Sequence, residues 1–249
     1  MENKIFIFIS GLHRSGTSLF YKILDTQENF SALTNTNEIE DEGQFVQSIY
    51  LPAYNYGGVG RFGFNKESQL NETSILINDK NRNKLFKEWS KYWNIEKKYL
   101  VEKSPPNILK SRFLQEMFPN SYFINITRHP IATSLATQKW SKTSLESLID
   151  HWIVCHKIYN NDQKKLKRTI NFKYEDLINN TDETLKLISE FLKTKIINTE
   201  VEIRSGINQK YFKMWEKKKN SFFTKRKIRG IIEKYEDEVN SFGYSLIDY

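Results

Sequence analysis

The eight residues Gly11-Leu12-His13-Arg14-Ser15-Gly16-Thr17-Ser18 decide the fold of this chain. They follow an apolar run, Ile5-Phe6-Ile7-Phe8-Ile9, which predicts a buried strand over about 4–10, and precede Leu19–Leu24, which predicts a helix over about 17–26. A strand, a tight turn with two glycines and a helix N-terminus form an anion cradle, because backbone N–H groups converge there and the helix dipole adds positive charge. We therefore expect this loop to hold a phosphate or sulfate group.

The spacing of Gly11 and Gly16 fits a phosphate-binding loop, but the lysine of that pattern is missing. Thr17 stands in its place, and Arg14 supplies positive charge from inside the loop. The loop thus departs from the pattern that holds the triphosphate of ATP. A small-molecule kinase stays an alternative on the spacing, opposed by the missing lysine and by the lack of an evident acidic strand end for magnesium.

Composition indicates one folded α/β domain over residues 1–249, since 39% of residues are hydrophobic, 14% are aromatic, nothing repeats and no linker divides the chain. No apolar run approaches the roughly 20 residues of a membrane span. The first strand begins within about five residues, so we expect no signal peptide. The single cysteine, Cys155, excludes a disulfide framework and a cysteine-based zinc site. With four histidines and no H-x3-H spacing, we expect no metal site and a reducing cytoplasmic location.

The net charge of +8 favours anionic partners, and much of the basic excess lies in residues 210–229. One alternative function is therefore a non-catalytic module that binds nucleic acid or an acidic glycan through this segment. Aromatic residues interleave with the lysines and predict a packed segment rather than a free tail: Tyr211, Phe212, Met214, Trp215, Phe222 and Phe223 share this stretch.

The rest of the chain alternates strands with helices, which predicts a parallel sheet with helices on both faces. The predicted strands are 99–101, 122–126 and 169–173. Residues 27–41 are interpreted as a loop; the predicted helices are 43–50, 81–94, one capped by Ser104, one from Ile131, 144–160 and 182–192. In the 144–160 helix, His151 and His156 are interpreted as packing or surface residues.

Ligands of such folds bind beyond the carboxyl ends of the strands, and three marked segments lie there: Gly11–Ser18, Glu102–Ser104 and Arg128–Pro130. Arg14 and Lys103 can add positive charge where a transferred group becomes more anionic. The forked guanidinium of Arg128 suits a second phosphate. Two anion sites indicate a nucleotide with phosphates at two ends, and Ser134 and Thr137 are either partners of the second phosphate or ordinary helix hydroxyls.

Several segments match one known family in order along nearly the whole chain: His13–Ser18, Glu40-Asp41-Glu42-Gly43-Gln44, Glu102-Lys103-Ser104-Pro105, Phe123–Pro130 and Tyr174-Glu175-Asp176-Leu177. The chain resembles the sulfotransferases that use 3′-phosphoadenosine 5′-phosphosulfate (PAPS). It is most similar to their broad, largely bacterial branch, which also resembles protein-tyrosine sulfotransferases. This resemblance implies a P-loop-like α/β fold and metal-independent, in-line transfer of a sulfuryl group to an acceptor hydroxyl or amine.

The resemblance also implies site residues. His13, Arg14, Ser15, Gly16, Thr17 and Ser18 would hold the 5′-phosphosulfate, with Arg14 in the place of the catalytic basic residue and Lys103 near the sulfuryl group. Arg128 matches the arginine that binds the 3′-phosphate. The family's usual serine eight positions further on is Ala136 here, so Ser134 is our substitute. Tyr174 and the segment Asn208–Trp215 match parts that close over the nucleotide.

The attacking hydroxyl needs a base, which a carboxylate can supply. Among Glu40, Asp41 and Glu42 we favour Glu42, with Glu40 second, although acids at a helix start are also favoured by the dipole alone. Glu102 could instead orient Lys103. The acceptor stays open between an acidic glycan, a peptide and a small alcohol or lipid-like metabolite; nucleic acid is not expected as a partner. The glycine-rich aromatic loop 54–64 is either a wall of the site or a surface connection.

Overall fold

Five parallel strands form the centre of the fold. The computed structural model describes residues 3–198 and 200–249. The sheet order is β2-β3-β1-β4-β5, with strands β1 (Ile5–Gly11), β2 (Phe30–Ala32), β3 (Tyr99–Lys103), β4 (Ser121–Thr127) and β5 (Thr169–Lys173). The predicted α/β class with a parallel sheet is thereby confirmed. The strand order reverses at β1, so its carboxyl end lies where open α/β sheets bind ligands.

The central strand β1 is buried on both faces, which explains its unbroken apolar sequence. Ile7 and Ile9 belong to a core that also contains Phe20 of the first helix. Phe6 and Phe8 point to the opposite face and belong to a second core with Trp89. Alternate side chains of one strand thus join two layers of helices to the same sheet.

Helices cover both faces of the sheet, and the last ones add a further layer of packing. They are α1 (Thr17–Asp25), α2 (Asp79–Trp89), α3 (Ser111–Met117), α4 (Pro130–Ser141), α5 (Leu145–Asp162), α6 (Tyr174–Asn179), α7 (Thr181–Leu192), α8 (Ile207–Asn220) and α9 (Lys225–Asn240). A third core joins α4, α5, α8 and α9 through buried Trp152, Trp215 and Ile231. Within the described residues, no helix is both long enough and apolar enough to cross a membrane.

The prediction of a packed late segment is confirmed for Tyr211 and Trp215, which are buried in the third core. It is wrong for Phe222 and Phe223, which lie between α8 and α9 and are almost fully exposed. α8 and α9 pack through residues on either side of this turn, so the rings of Phe222 and Phe223 are left exposed to solvent.

Residues 27–41 are not all loop, because Phe30–Ala32 form the short edge strand β2. Three residues are too few for an alternating pattern, and the strand depends on pairing with β3, where the rings of Phe30 and Tyr99 stack with centroids 4.4 Å apart. The helix predicted over 81–94 spans Asp79–Trp89 instead. The ring N–H of Trp93, beyond its end, donates to the carbonyl of Val101 at 2.8 Å.

The helix predicted over 43–50 is wrong, because only Gly43–Phe45 form a short 3₁₀ turn. The side chain of Gln47 accepts hydrogen bonds from the backbone N–H groups of Ile49 (2.7 Å) and Tyr50 (3.0 Å). Such local bonds compete with helical ones and end the turn. Ser104 likewise caps no helix with its side chain, and the turn after it is 3₁₀ over Pro105–Leu109.

Both histidines of α5 are buried, in agreement with a packing role. His151 accepts a hydrogen bond from the backbone N–H of Gly63 at 3.1 Å, and Nδ1 of His156 lies 2.7 Å from the Trp152 carbonyl. Burial lowers the pKa of His151 to about 3 and that of His156 to about 4. Both rings are therefore neutral in the folded protein at neutral pH.

Replacing His156 with phenylalanine is expected to flatten the loss of stability in acid. Between pH 6.5 and 4 the unfolded chain protonates this histidine and the folded chain does not, so stability falls as pH falls through that window. One such group contributes up to about 3 kcal/mol across the window. Denaturant unfolding of both proteins from pH 8 to 4 measures this. Above pH 7 the two curves should differ by a constant, and an unchanged acid slope in the variant would refute the account.

Candidate active site

The carboxyl ends of the strands bring the predicted segments to one edge of the sheet. Ile9 pairs with Lys103, Gly11 with Ile126 and Thr127 with Lys173, so the segments that follow begin side by side. They surround a cleft of about 520 Å³. Its polar lining includes His13, Arg14, Gly16, Thr17, Ser18, Glu40, Glu42, Arg128, Tyr174, Glu202, Arg204, Lys210 and Tyr211.

The loop after β1 is built as an anion cradle. Gly16 has a φ of 101° and Arg14 one of 70°, left-handed conformations that turn the backbone tightly before α1. A Cβ on Gly16 would lie 2.4 Å from the ring of Tyr174, so only glycine fits. Within the described chain, the N–H groups of Gly16, Thr17 and Ser18 find no acceptor, and all belong to the start of α1. The geometry suits a bound oxyanion.

Ser15 differs from its neighbours in the loop. Its backbone N–H already donates to the Leu12 carbonyl at 3.0 Å. Its hydroxyl is buried beneath the loop without a hydrogen-bond partner among the described residues, beside Gly11, where a Cβ would approach it to 2.6 Å. The side chain of Ser15 therefore shapes the loop from below and does not line the cleft.

Arg128 is fixed by hydrogen bonds and lies at the floor of the cleft. Its Nε and one terminal nitrogen donate to Oδ1 of Asn208 at 2.9 and 2.8 Å, and the other donates to the Arg14 carbonyl at 2.7 Å. The last bond ties the guanidinium to the cradle and holds Arg14 in its left-handed conformation. A guanidinium has five donors, so N–H groups remain for a ligand.

The motif that begins at Tyr174 supports Arg128 from two sides. The Arg128 guanidinium lies 4.3 Å from the centre of the Tyr174 ring, a cation–π contact. The next residue, Glu175, accepts from Nδ2 of Asn208 at 2.6 Å and from the hydroxyl of Tyr244 at 3.1 Å. Asn208 thus stands behind Arg128 as a positioning residue, because its side chain is spent on Arg128 and Glu175.

Lys103 and Glu42 form a buried pair on the other side of the cradle. Nζ of Lys103 lies 3.6 Å from Oε1 of Glu42 and donates to the backbone carbonyl of Glu40 at 2.8 Å. Lys103 is 1% exposed, whereas Glu42 and Glu40 line the cleft. Lys103 therefore acts on the cleft through its charge and through the segment it holds.

Glu102 holds the segment that carries Glu42, and it does not hold Lys103, the next residue in sequence. Its carboxylate accepts from the N–H of Gly43 at 3.0 Å, from the hydroxyl of Ser104 at 2.6 Å and from Nδ2 of Asn107 at 2.5 Å. The Ser104 hydroxyl in turn accepts from the N–H of Gln44 at 3.0 Å. The predicted link from Glu102 to Lys103 is replaced by this anchor, because both side-chain oxygens are engaged elsewhere.

At Gly43, the hydrogen bond between Glu102 and the segment that carries Glu42 leaves no room for a larger side chain. A Cβ there would lie 2.6 Å from Oε1 of Glu102, so we expect Gly43→Ala to destabilise the protein by about 1–3 kcal/mol. The matched control is Gly230→Ala in α9, where a Cβ meets nothing within 4 Å. Alanine in an open helix position should stabilise by about 0.5–1 kcal/mol. Chemical denaturation measures both, and equal effects of the two variants would contradict the anchor.

Glu42 and His13 both line the cleft, and their pKa values are shifted in opposite directions. Burial raises the pKa of Glu42, and the charge of Lys103 opposes this. Burial, together with the charges of Lys103 and Arg14, lowers the pKa of His13 to about 3. At neutral pH His13 is therefore a neutral and very weak base. Glu42 has the more suitable basicity for accepting a proton.

Ser134 lies apart from Arg128. It is buried, and its hydroxyl has no partner among the described residues. It lines a separate cavity of about 10 Å³ behind His13, together with Thr137 and His151. The residues that line the main cleft include Arg128 but neither Ser134 nor Thr137, which line this small cavity together with Leu148 and His151 of α5.

Several cleft residues were not found by sequence reasoning as site residues. Trp140, half exposed, faces His13 with ring centroids 6.1 Å apart. Arg204 and Lys210 add positive charge; Lys210 lies within the predicted segment Asn208–Trp215, whereas no sequence signal singled out Arg204. Of the loop 54–64, Val59 lines the cleft, whereas Gly63 packs so closely on α5 that a Cβ would lie 2.3 Å from the sulfur of Cys155. The loop is thus both wall and packed connection.

A parallel sheet with a glycine-bounded anion cradle at the end of its central strand defines the P-loop-like α/β class. Within that class the chain belongs to the sulfotransferase family, whose family model matches residues 7–197. The resemblance predicted from the motifs is thereby confirmed. A comparison with curated protein sequences found no match.

Solved structures support the fold. The sulfotransferase domain of the curacin biosynthetic pathway is 16% identical, with a TM-score of 0.51, over 86% of this chain and 90% of that one. A sulfotransferase from Mycobacterium avium is 9% identical, with a TM-score of 0.54, over 94% of this chain and 76% of that one. These identities are low, so the likeness concerns the fold.

Proposed function

We propose that residues 1–249 form a single PAPS-dependent sulfotransferase domain that transfers a sulfuryl group to an acceptor hydroxyl. The observation that carries this proposal is the meeting of three parts in one cleft: the Gly11–Ser18 cradle, the tethered guanidinium of Arg128 and the buried carboxylate of Glu42. Two anion sites and one base match the needs of this reaction better than those of a simple anion-binding module.

The nucleotide end of the cleft is proposed as follows. The free N–H groups of Gly16, Thr17 and Ser18 bind the 5′-phosphosulfate, and the remaining donors of Arg128 bind the 3′-phosphate. Tyr174 is almost fully buried between the cradle and Arg128, so we propose that it supports both anion sites and meets the adenine only where it lines the cleft. Asn208 and Glu175 do not touch the ligand and act by holding Arg128 in place. Tyr211, rather than Ser134, is then the second residue proposed to bind the 3′-phosphate. The centre of its ring lies 5.7 Å from the Arg128 guanidinium.

Transfer requires that one bond form as another breaks. The acceptor oxygen attacks sulfur as the bond from sulfur to the phosphate oxygen of PAPS breaks, and Glu42 takes the acceptor proton. The products are the sulfate ester, adenosine 3′,5′-bisphosphate and protonated Glu42. Arg14 and the cradle N–H groups stabilise the negative charge that grows on the leaving phosphate. Lys103 holds Glu42 and the Glu40 carbonyl in position.

The acceptor end of the cleft differs in character from the nucleotide end. The lining residues close to Glu42 in sequence include the apolar side chains of Ile39 and Phe45, and Val59 adds a third apolar residue to the cleft. The carboxylates here are those of Glu40 and Glu42, and the charge of Glu42 is paired with that of Lys103. The ring of Phe45 stacks on that of Tyr54, with centroids 6.2 Å apart. Apolar side chains offer no partner to the sulfates or carboxylates of an acidic glycan, whereas they can contact an apolar body. We therefore propose a neutral alcohol or phenol with an apolar body as the acceptor, in place of an acidic glycan.

Nucleotide binding tests the first part of the proposal. Adenosine 3′,5′-bisphosphate should raise the melting temperature by an amount that grows with ligand concentration, corresponding to about 2.7 kcal/mol at a hundredfold excess over Kd. ATP with magnesium should give a much smaller shift. A larger shift with ATP and magnesium would favour a kinase, and sulfate transfer that stops on chelation of divalent metals would contradict metal-independent transfer.

Acceptor choice tests the second part. With PAPS and a panel of phenols, apolar alcohols, tyrosine peptides and acidic oligosaccharides, kcat/KM should be at least about tenfold higher for the apolar phenols. Phe45→Ala should raise KM for these without altering the shift given by adenosine 3′,5′-bisphosphate. A preference for the acidic oligosaccharides would overturn the acceptor class while leaving the nucleotide chemistry intact.

A further inference from the structure

The turn between α8 and α9 exposes two adjacent phenylalanines. Phe222 is 81% exposed and Phe223 is 92% exposed. Their rings contact each other edge to face, with centroids 5.7 Å apart and planes at 86°. The core does not need them, because α8 and α9 pack through Trp215, Ile228 and neighbouring buried residues. Two large apolar side chains at the outermost point of a turn are costly in water and indicate a partner.

The stretch of chain that carries these rings is strongly basic. Residues 217–232 contain no aspartate or glutamate, and we call residues 217–229 the basic-aromatic tip. Its cations are Lys217, Lys218, Lys219, Lys225, Arg226, Lys227 and Arg229. Lys219 is paired with Glu216 at the foot of the turn, and Nζ of Lys225 lies 5.7 Å from the centre of the Phe222 ring. The partner must therefore combine negative charge with an apolar interior.

We propose that the basic-aromatic tip docks onto an anionic lipid surface. Phe222 and Phe223 enter the boundary between headgroups and acyl chains, and the surrounding lysines and arginines meet the anionic headgroups. Nucleic acid would also attract the charges, but it offers stacked bases. Two rings held at 86° to each other cannot both stack on successive bases, whereas both can be immersed in lipid.

The proposed docking is separate from the cleft, although one helix connects them. α8 begins at Ile207 in the cleft wall and ends at Asn220, inside the tip. At 1.5 Å per residue the two ends are about 20 Å apart. Lipid binding should therefore leave nucleotide binding intact, and it does not depend on the proposed function.

Sedimentation with vesicles tests the proposal on the whole chain. Vesicles of phosphatidylcholine with about one third phosphatidylglycerol should bind the protein at least about tenfold more tightly than phosphatidylcholine alone, and salt should weaken the binding. The double variant Phe222→Ser/Phe223→Ser should lower binding to the anionic vesicles about tenfold or more. Lys225→Glu/Lys227→Glu should do the same.

Matched controls test whether vesicle binding depends on the tip or on exposed apolar and basic residues in general. Ile75 is 92% exposed in a segment without basic neighbours, so Ile75→Ser should leave vesicle binding unchanged. Lys80→Glu/Lys186→Glu makes the same charge change at exposed positions outside the tip and should weaken binding far less. Equal binding of the phenylalanine double variant and the unaltered protein would overturn the proposal. So would absence of vesicle binding together with phenylalanine-dependent binding of single-stranded DNA.

Discussion

Replacing Arg128 with lysine is expected to weaken the binding of adenosine 3′,5′-bisphosphate about 10- to 100-fold. Lysine keeps the charge but cannot donate to Asn208, to the Arg14 carbonyl and to a phosphate at the same time. A charge-assisted hydrogen bond contributes about 1.5–3 kcal/mol, which converts to this range. The substitution should also remove the hydrogen bond to the Arg14 carbonyl and so weaken the left-handed turn there. Isothermal titration of the nucleotide measures the effect directly.

Arg168 provides a closely matched control for Arg128. Its guanidinium also lies over a tyrosine, 5.0 Å from the centre of the Tyr122 ring, and donates to the side-chain oxygen of Asn120 at 3.0 Å. It precedes β5 and so lies at the opposite edge of the sheet from the cleft. Arg168→Lys should leave nucleotide binding unchanged. Equal losses in the two variants would mean that Arg128 acts on stability and not on the ligand.

Replacing Glu42 with glutamine should lower kcat by about 10²- to 10⁴-fold, the usual contribution of a general base. Glutamine keeps the size of the side chain and an oxygen for Lys103, so binding of adenosine 3′,5′-bisphosphate should be retained. The carboxylate is the active form and its pKa is raised, so kcat of the unaltered enzyme should fall as the pH is lowered through that raised value. This acidic limb should be absent from the residual activity of Glu42→Gln.

Glu40→Gln distinguishes the two carboxylates that line the cleft. Glu40 is exposed and holds Lys103 through its backbone carbonyl, which the substitution leaves in place. We expect kcat to change less than about tenfold. Loss of the acidic limb in Glu40→Gln, with Glu42→Gln still active, would assign the base to Glu40.

The local sequence was sufficient for four of the five described strands and for the cradle. β1 is a continuous apolar run over Ile5–Ile9, and β4 is apolar at Tyr122, Phe123, Ile124 and Ile126; both strands are almost entirely buried. Gly11 and Gly16 mark the turn of the cradle, where positive φ angles favour glycine. The edge strand β2 could not be found in this way, because its three residues are held by pairing with β3. The 43–50 segment was misread because its backbone is bonded to Glu102, Ser104 and Gln47, which no helical period reveals.

The sequence predicted the main charged residues of the cleft, but not the residues that hold them in place. Spacing along the chain placed Arg14, Lys103 and Arg128 at neighbouring strand ends, which the register confirms. It could not show that Asn208 and Glu175 hold Arg128, since these contacts join residues far apart in sequence. The spacing also could not show that Ser134 lines a separate small cavity, because this depends on how α4 is rotated against the elements that pack on it.

Transfer of labelled sulfate tests the central claim most directly. The protein is incubated with PAPS labelled in the sulfuryl group and an apolar phenol, and the label is followed into the phenol by mass spectrometry. We predict a labelled sulfate ester formed in equal amount to adenosine 3′,5′-bisphosphate, with formation slowed about 10²-fold or more in Glu42→Gln. Absence of labelled product across all acceptor classes, with PAPS bound and intact, would contradict the assignment of this cleft as a sulfotransferase active site.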